Sequence, residues 1–298
     1  MEKIKILIDT DPGDDIDDAL ALAYILKSGY FEVVGITTTF KDTLSRARMV
    51  KKICALAGEN IPVYAGNGHP LKKMPPPSQE INQYTKDLDG DEYTPDGIDA
   101  VDFIIRCAEK YSEELVLVGI GPLCNLSRAI LKAPQIMQSV QATVIMGGCF
   151  ANTYPEWNMY CDPDSAKVVF EQAKNLTAVG VDITSRTKLS ETQSKQIEKD
   201  TRDAFYAYIG DLVKMWRKTH NNDLPTLHDV LAIATLVLPN VCEMKTGVAT
   251  IDADGEVQTK PGAVVFGTGG KVTYAVDFDK PLFMDAFMRL WNGETVNV

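Results

Sequence analysis

Short β-branched runs alternate with helix-patterned stretches through the first 180 residues, which predicts βα units wound into a mostly parallel sheet. The predicted strands are Ile4–Ile8, Val33–Thr38, Leu115–Val118, Thr143–Met146 and Thr177–Val181. Helical patterns lie between them at Asp18–Lys27, Leu44–Ala57, Ala100–Tyr111, Leu123–Lys132 and Ser165–Lys174. Residues 190–238 are helix-patterned again, with Thr226 placed to cap a helix that starts near Leu227. Val248–Ile251, Ala263–Phe266 and Val272–Val276 read as strands or a hairpin before a last helix at Pro281–Trp291. From Gly66 to Gly97 the chain is rich in Pro, Gly and Asp, including Met74-Pro-Pro-Pro-Ser78, which predicts a long surface loop of the kind used as a lid or binding element. No linker divides the chain, so all 298 residues are expected to form a single α/β domain with an open, mostly parallel central sheet flanked by helices.

Composition narrows the partners. A hydrophobic content of 45% is ample for a large core, and the formal net charge of −11 comes without a Lys/Arg cluster that would track a phosphate backbone. Nucleic acid and anionic membrane are therefore not expected as partners. The N-terminus turns acidic at Asp9 without a signal-peptide core, and apolar stretches such as Val230 to Leu238 fall short of the ~20 residues that span a bilayer. A soluble, cytoplasmic protein is expected. The six cysteines contain no Cys-x-x-Cys and are expected to be reduced core residues.

Ligands of a parallel sheet bind outside the carboxyl ends of its strands. The polar signals of this chain fall there repeatedly: Asp9–Asp18 follows the first strand, Lys41-Asp42 the second, and Gly119-Ile-Gly-Pro-Leu-Cys124 and Gly147 to Asp164 two others, while His228-Asp229 opens a later helix. The first of these packs Asp9, Asp11, Asp14, Asp15, Asp17 and Asp18 into ten residues. Carboxylates that close raise one another's pKa values, so the stretch calls for a cation or several strong donors, and a hard divalent metal suits it. An EF-hand is excluded, because a strand precedes the loop and the Gly and Glu positions do not match. A phosphoryl-transfer site with Asp9 as nucleophile and Asp11 as acid also fits a strand-end Asp-x-Asp, and a solvated acidic turn in which Asp17 or Asp18 caps the next helix is the plainest alternative.

Asp9-Thr-Asp-Pro-Gly13 followed by Asp17-Asp-Ala-Leu-Ala-Leu22 resembles the signature of the nucleoside hydrolases, and is similar to their inosine-uridine preferring members. Further motifs occur in the family's order: Gly35-Ile-Thr-Thr38, Pro62-Val-Tyr-Ala-Gly66 with Pro70-Leu71, Gly121-Pro-Leu-Cys-Asn-Leu126, Val144-Ile-Met-Gly-Gly148, Pro155-Glu-Trp-Asn158 with Cys161-Asp-Pro-Asp164, and His228-Asp229. The resemblance spans residues 4–240 and implies calcium-dependent hydrolysis of the N-glycosidic bond of ribonucleosides to free base and ribose, a step in nucleoside salvage. By the same resemblance the metal ligands are Asp11, Asp18, the Cys124 carbonyl and Asp229. Asp11 is also implied as the base that takes a proton from the attacking water, and His228 as the acid for the departing base, with neighbouring carboxylates raising its pKa. Ribose recognition falls to Asp17, Asn152, Glu156 and Asn158, with Met146 and Trp157 as walls and Asp42 close by; Asp9 is implied as a buttress of the metal ligands. Relatives form dimers or tetramers, which implies a homo-oligomer.

The chain departs from the family pattern in places. Asp14-Asp-Ile16 stands where the commoner form has a single residue, so Asp15 is a rival of Asp17 for the sugar or metal. Lys41-Asp42 replaces a Gly-Asn, and Asn152 lies nearer Glu156 than the usual asparagine does. Two other functions stay open at this point: a relative that binds calcium and ribose without turnover, and a metal-dependent phosphohydrolase.

Overall fold

The computed structural model describes residues 2–72, 81–257 and 260–294. In chain order the elements are β1 (Ile4–Thr10), α1 (Asp17–Lys27), β2 (Phe31–Thr38), α2 (Thr43–Ala57), β3 (Val63–Ala65), α3 (Ala100–Tyr111), β4 (Leu115–Gly119), α4 (Cys124–Lys132), α5 (Pro134–Met137) and β5 (Ala142–Met146). They continue as α6 (Trp157–Cys161), α7 (Pro163–Gln172), β6 (Leu176–Val179), α8 (Val181–Thr184), α9 (Glu191–Lys199), α10 (Ala204–Thr219), α11 (His228–Ala234), β7 (Cys242–Ile251), β8 (Val264–Phe266), β9 (Gly270–Phe278) and α12 (Lys280–Asn292). All nine strands join one sheet in the order β3-β2-β1-β4-β5-β6-β9-β7-β8. Pairing is parallel from β3 to β9, and β7 runs antiparallel to both β9 and β8.

The period-two alternation of the central strands divides the core. Ile6 and Ile8 of β1, Val116 and Val118 of β4, and Val144 and Met146 of β5 join the cluster on one face. Leu7, Leu115, Leu117 and Ile145 join the cluster on the other. Helices cover both faces, as a parallel sheet of continuous apolar strands requires. Helix α1 is buried from Asp17 to Ile25, which is why its Ala-Leu-Ala-Leu-Ala run is apolar on every side.

The winding locates the site. From β1 the chain moves outward through β2 to β3, then returns to the other side of β1 as β4 and continues away through β5 and β6. Crossovers leave β1 and β4 in opposite directions, and the crevice beyond their carboxyl ends is the switch point where such sheets hold ligands.

Most predicted elements are present, but β7 begins at Cys242 where a strand was expected from Val248, the short helices α5 and α6 were not anticipated, and other differences are local. The three-residue β3 was not anticipated. The strand predicted through Val181 stops at Val179, because the Val181 N–H donates to the Gly148 carbonyl at 2.8 Å and the chain turns into α8. Thr226 caps nothing: Leu227 holds the cap position of α11, with no side-chain capping bond, and its N–H donates to Thr187 Oγ1 at 3.0 Å. Neither Asp17 nor Asp18 caps α1, whose cap position is Ile16. Met74 to Ser78 lies outside the described residues, while the described part of the 66–97 segment carries two 3-10 turns at Lys86–Leu88 and Asp91–Tyr93. All six cysteines are free, and five are buried. Among the described residues, no helix is long and apolar enough to cross a membrane.

Candidate active site

A cavity of about 190 Å³ opens at the switch point, far larger than the roughly 10–15 Å³ one water needs. Asp11, Asp14, Asp15, Asp17 and Asp18 from the β1–α1 loop line it, together with Ile120 after β4, Met146 at the end of β5, Tyr154, Glu156, Trp157 and Asn158, Val181, and His228 and Asp229 of α11. Six separate stretches of chain thus converge on one space. Among the described residues, no lysine or arginine lines it.

The carboxylates are ordered within this space. Ligand oxygens of Asp17, Asp18 and Asp229 all lie within 4.8 Å of one another, and the three residues are buried. Asp18 Oδ1 accepts from Thr10 Oγ1 at 2.5 Å and from the Asp11 N–H at 3.0 Å. These bonds partly offset burial, which pushes the Asp18 carboxyl up to about 6. Asp11, Asp17 and Asp229 are driven well above the ordinary carboxylate range, first by burial and then by the like charges around them. Four acids destabilised as anions in one cavity form a site that favours a divalent cation.

The start of α6 and the residues just before it form one wall of the cavity. Glu156 caps that helix, its Oε1 accepting from the Asn158 N–H at 2.9 Å and its Oε2 from the N–H groups of Gly148 and Met159, each at 3.2 Å. Burial still raises its carboxyl to about 7. Asn158 donates from Nδ2 to the carbonyls of Ile120 at 3.3 Å and Met146 at 3.2 Å, tying the ends of β4 and β5 together. Trp157 and Tyr154 stand half-exposed at the mouth. Across from them, His228 Nδ1 lies 2.7 Å from Thr184 Oγ1.

Comparison with known proteins decides the family. The family model described as inosine-uridine preferring nucleoside hydrolase matches residues 6–285. The chain belongs to that family. It is similar to uridine nucleosidase 1 of Arabidopsis thaliana, 29% identical over 282 residues that cover 84% of this chain and 79% of the relative. The inosine-uridine preferring nucleoside hydrolase of Leishmania major is 28% identical, with 96% of this chain and 98% of that protein covered. A purine-preferring ribonucleoside hydrolase from Gardnerella vaginalis matches in three dimensions with a TM-score of 0.79 and 28% identity, over 98% of this chain and 99% of that one. This nucleoside hydrolase is accordingly an enzyme of the class that cleaves N-glycosidic bonds.

Of the site residues expected from the sequence, Asp11, Asp17, Asp18, Met146, Glu156, Trp157, Asn158, His228 and Asp229 line the nucleoside hydrolase cavity together. Three expected residues do not. Cys124 is the first residue of α4, and its carbonyl accepts from Ser127 Oγ at 3.1 Å and Arg128 Nη1 at 3.0 Å; Ile120, four residues earlier, is the member of that turn that reaches the cavity. Asp42 caps α2, accepting from the Ser45 N–H at 3.1 Å and Ser45 Oγ at 2.7 Å, which turns its carboxylate away. Asn152 Oδ1 accepts from the Tyr154 N–H at 2.8 Å, and Tyr154 lines the cavity in its place. Short polar side chains of this kind readily close on their own backbone.

Other outcomes concern roles. The pKa of His228 is lowered, not raised, because burial outweighs the nearby Asp15 charge. Asp9 is buried, outside the cavity, with Oδ1 accepting from Thr37 Oγ1 at 2.7 Å and Asn125 Nδ2 at 2.8 Å; a nucleophile could not work there, and burial raises its carboxyl to about 7. Through Asn125 it anchors the start of α4 beside the Ile120 turn. Asp15 is exposed at the rim, and Asp14 turns to Lys41 Nζ at 2.7 Å and Arg46 Nη2 at 2.9 Å. Arg46, Tyr154 and Val181 went unanticipated; a cation in an otherwise apolar stripe of α2 is the one signal that could have singled out Arg46.

Proposed function

We propose that this nucleoside hydrolase uses a calcium ion to hydrolyse ribonucleosides to free base and ribose. The observation that carries the reading is the buried set Asp17, Asp18 and Asp229, with ligand oxygens within 4.8 Å of one another, in the same cavity as Asp11. An all-oxygen donor set suits a hard cation, and calcium takes six to eight oxygens in flexible geometry where magnesium demands a near-ideal octahedron. By the family resemblance Asp11, Asp18 and Asp229 would hold the ion, and Asp17, whose oxygens belong to the same 4.8 Å set, is a further oxygen donor beside it. Bound there, calcium would polarise the attacking water and anchor the ribose hydroxyls.

Asp11 accepts a proton from that water as its oxygen bonds to the anomeric carbon. The glycosidic C–N bond breaks, its electron pair leaves with the base, and the surrounding carboxylates stabilise the positive charge that develops on the sugar. With Nδ1 engaged by Thr184, Nε2 is the His228 nitrogen left to give a proton to a nitrogen of the departing base. Asp17, Glu156 and the Asn158 Oδ1 supply acceptors for sugar hydroxyls, while Met146 and Trp157 wall the ring. The named preferences of the relatives, for uridine, inosine-uridine and purine nucleosides, make both base classes substrates to test. Release of free base and ribose fits nucleoside salvage.

The test is ribose release from inosine, guanosine, adenosine, uridine and cytidine, each with calcium and with a chelator. The reading expects calcium-dependent release from at least one of them, lost on chelation and restored by added calcium. Ribose binding without release from any nucleoside would overturn it, as would phosphate release from a phosphomonoester in magnesium.

A further inference from the structure

We propose that Arg46 is a positioning residue of the active site, an internal cation that holds the acidic loop in its working shape. The inference rests on the hydrolase reading above and concerns a residue outside the cavity.

Arg46 lies on α2 with none of its side chain exposed. Its guanidinium reaches two loops at once. Nε donates to the Phe40 carbonyl at 2.9 Å, Nη1 donates to the carbonyls of Asp11 and, at 2.7 Å, Pro12, and Nη2 donates to Asp14 Oδ2 at 2.9 Å. A buried charge needs one counter-ion and satisfied donors, which Asp14 and solvent-side groups could supply. Here three of the four acceptors are main-chain carbonyls, two of them in the segment that carries Asp11. The β2–α2 loop bends to take part: Phe40 and Lys41 have φ of 62° and 58°, a left-handed conformation that costs energy for side chains of this size. That bend delivers the Phe40 carbonyl to Nε.

The arrangement has two consequences for the site. The peptide groups of Asp11 and Pro12 are fixed, so the Asp11 carboxylate enters the cavity from one direction; its Oδ2 lies 3.9 Å from Nη2. Asp14, which belongs to the two-residue excess in this loop, is drawn to Arg46 and Lys41, so the extra acid does not crowd Asp17, Asp18 and Asp229. Arg46 therefore accommodates the insertion that sets this loop apart. A lysine keeps the charge but lacks the planar fork that serves two loops.

The experiment compares Arg46→Lys and Arg46→Met with Val50→Ala, a buried apolar position one turn further along the same helix whose side chain offers the loop no hydrogen bond. Arg46→Lys is expected to lower kcat about tenfold to hundredfold with KM little changed, and to weaken calcium binding measured by calorimetry. Val50→Ala is expected to lower Tm while leaving kcat and calcium affinity at wild-type values. Arg46→Lys with wild-type kcat and calcium affinity would overturn the proposal, as would parallel losses in both variants. If Arg46→Met does not fold, the lysine variant decides. Should the wild type hydrolyse no nucleoside, the hydrolase reading fails by itself, and calcium affinity alone judges Arg46: weakened in Arg46→Lys but not in Val50→Ala supports its role, and unchanged in both refutes it.

Discussion

Thr184 Oγ1 lies 2.7 Å from His228 Nδ1, so one ring nitrogen is committed to the protein and the other is left for the cavity that His228 lines. The Thr184 hydroxyl holds the rotation of the imidazole. Thr184→Val keeps the shape of the side chain and removes that bond. Its kcat is expected to fall about tenfold or more, within the range of a displaced general acid, while KM changes little. Unchanged kcat would separate His228 from the chemistry.

Asp42 makes the opposite case. Its carboxylate accepts from Ser45 as the cap of α2 and does not line the cavity. Asp42→Ala is expected to cost about 1 kcal/mol of stability, as lost caps do, with kcat/KM for ribonucleosides at the wild-type value. A rise in KM with no loss of Tm would return Asp42 to the sugar site.

Glu156 links stability to pH. Burial raises its folded-state carboxyl to about 7 from an ordinary 4.5, so the folded state holds this proton more tightly than the unfolded chain. The resulting stabilisation is fully present below the unfolded value and is lost as pH rises through about 7, an effect of about 3 kcal/mol across that window. Tm recorded in saturating calcium should therefore fall between mildly acidic and mildly alkaline pH, and Glu156→Gln should flatten the slope. An equally steep slope in the variant would assign the effect to other groups.

Calcium should stabilise the folded chain through Asp229. A free concentration a hundredfold above Kd is worth about 2.7 kcal/mol, or an upshift of about 4 °C for a chain of this size. Asp229→Asn should lose that upshift. It should also melt above the wild type in chelator, because one of the crowded buried acids has been made neutral. A full calcium upshift in the variant would remove Asp229 from the ion.

Much of this was legible from periodicity. The Val/Ile/Leu runs of β1, β2, β4, β5 and β6, separated by helical patterns, specify a parallel sheet, and polar groups at the strand ends mark one crevice. The pattern around Ala100–Tyr111 matches α3 to the residue. Errors arose where a single peptide or side chain decides the outcome. Ile120 lines the cavity and Cys124 does not, because Cys124 already begins α4, and a helix end shifts without changing the hydrophobic pattern. Asp42 and Asn152 are the right residue types, but each satisfies its nearest backbone N–H groups first. Three-residue β3 carries too short a pattern to register. The lowered pKa of His228 follows from its burial, and its Thr184 partner lies 44 positions away in sequence, beyond the reach of a local pattern.

The measurement that tests the central claim most directly is ribose release by Asp11→Asn, with calcium, from the nucleosides that the wild type hydrolyses. Asparagine keeps the size of the side chain and removes its capacity to take a proton from water. The account predicts a fall in kcat of about a hundredfold to ten-thousandfold, the usual contribution of a general base, in a protein that still folds. Ribose released by Asp11→Asn at the wild-type rate would contradict it.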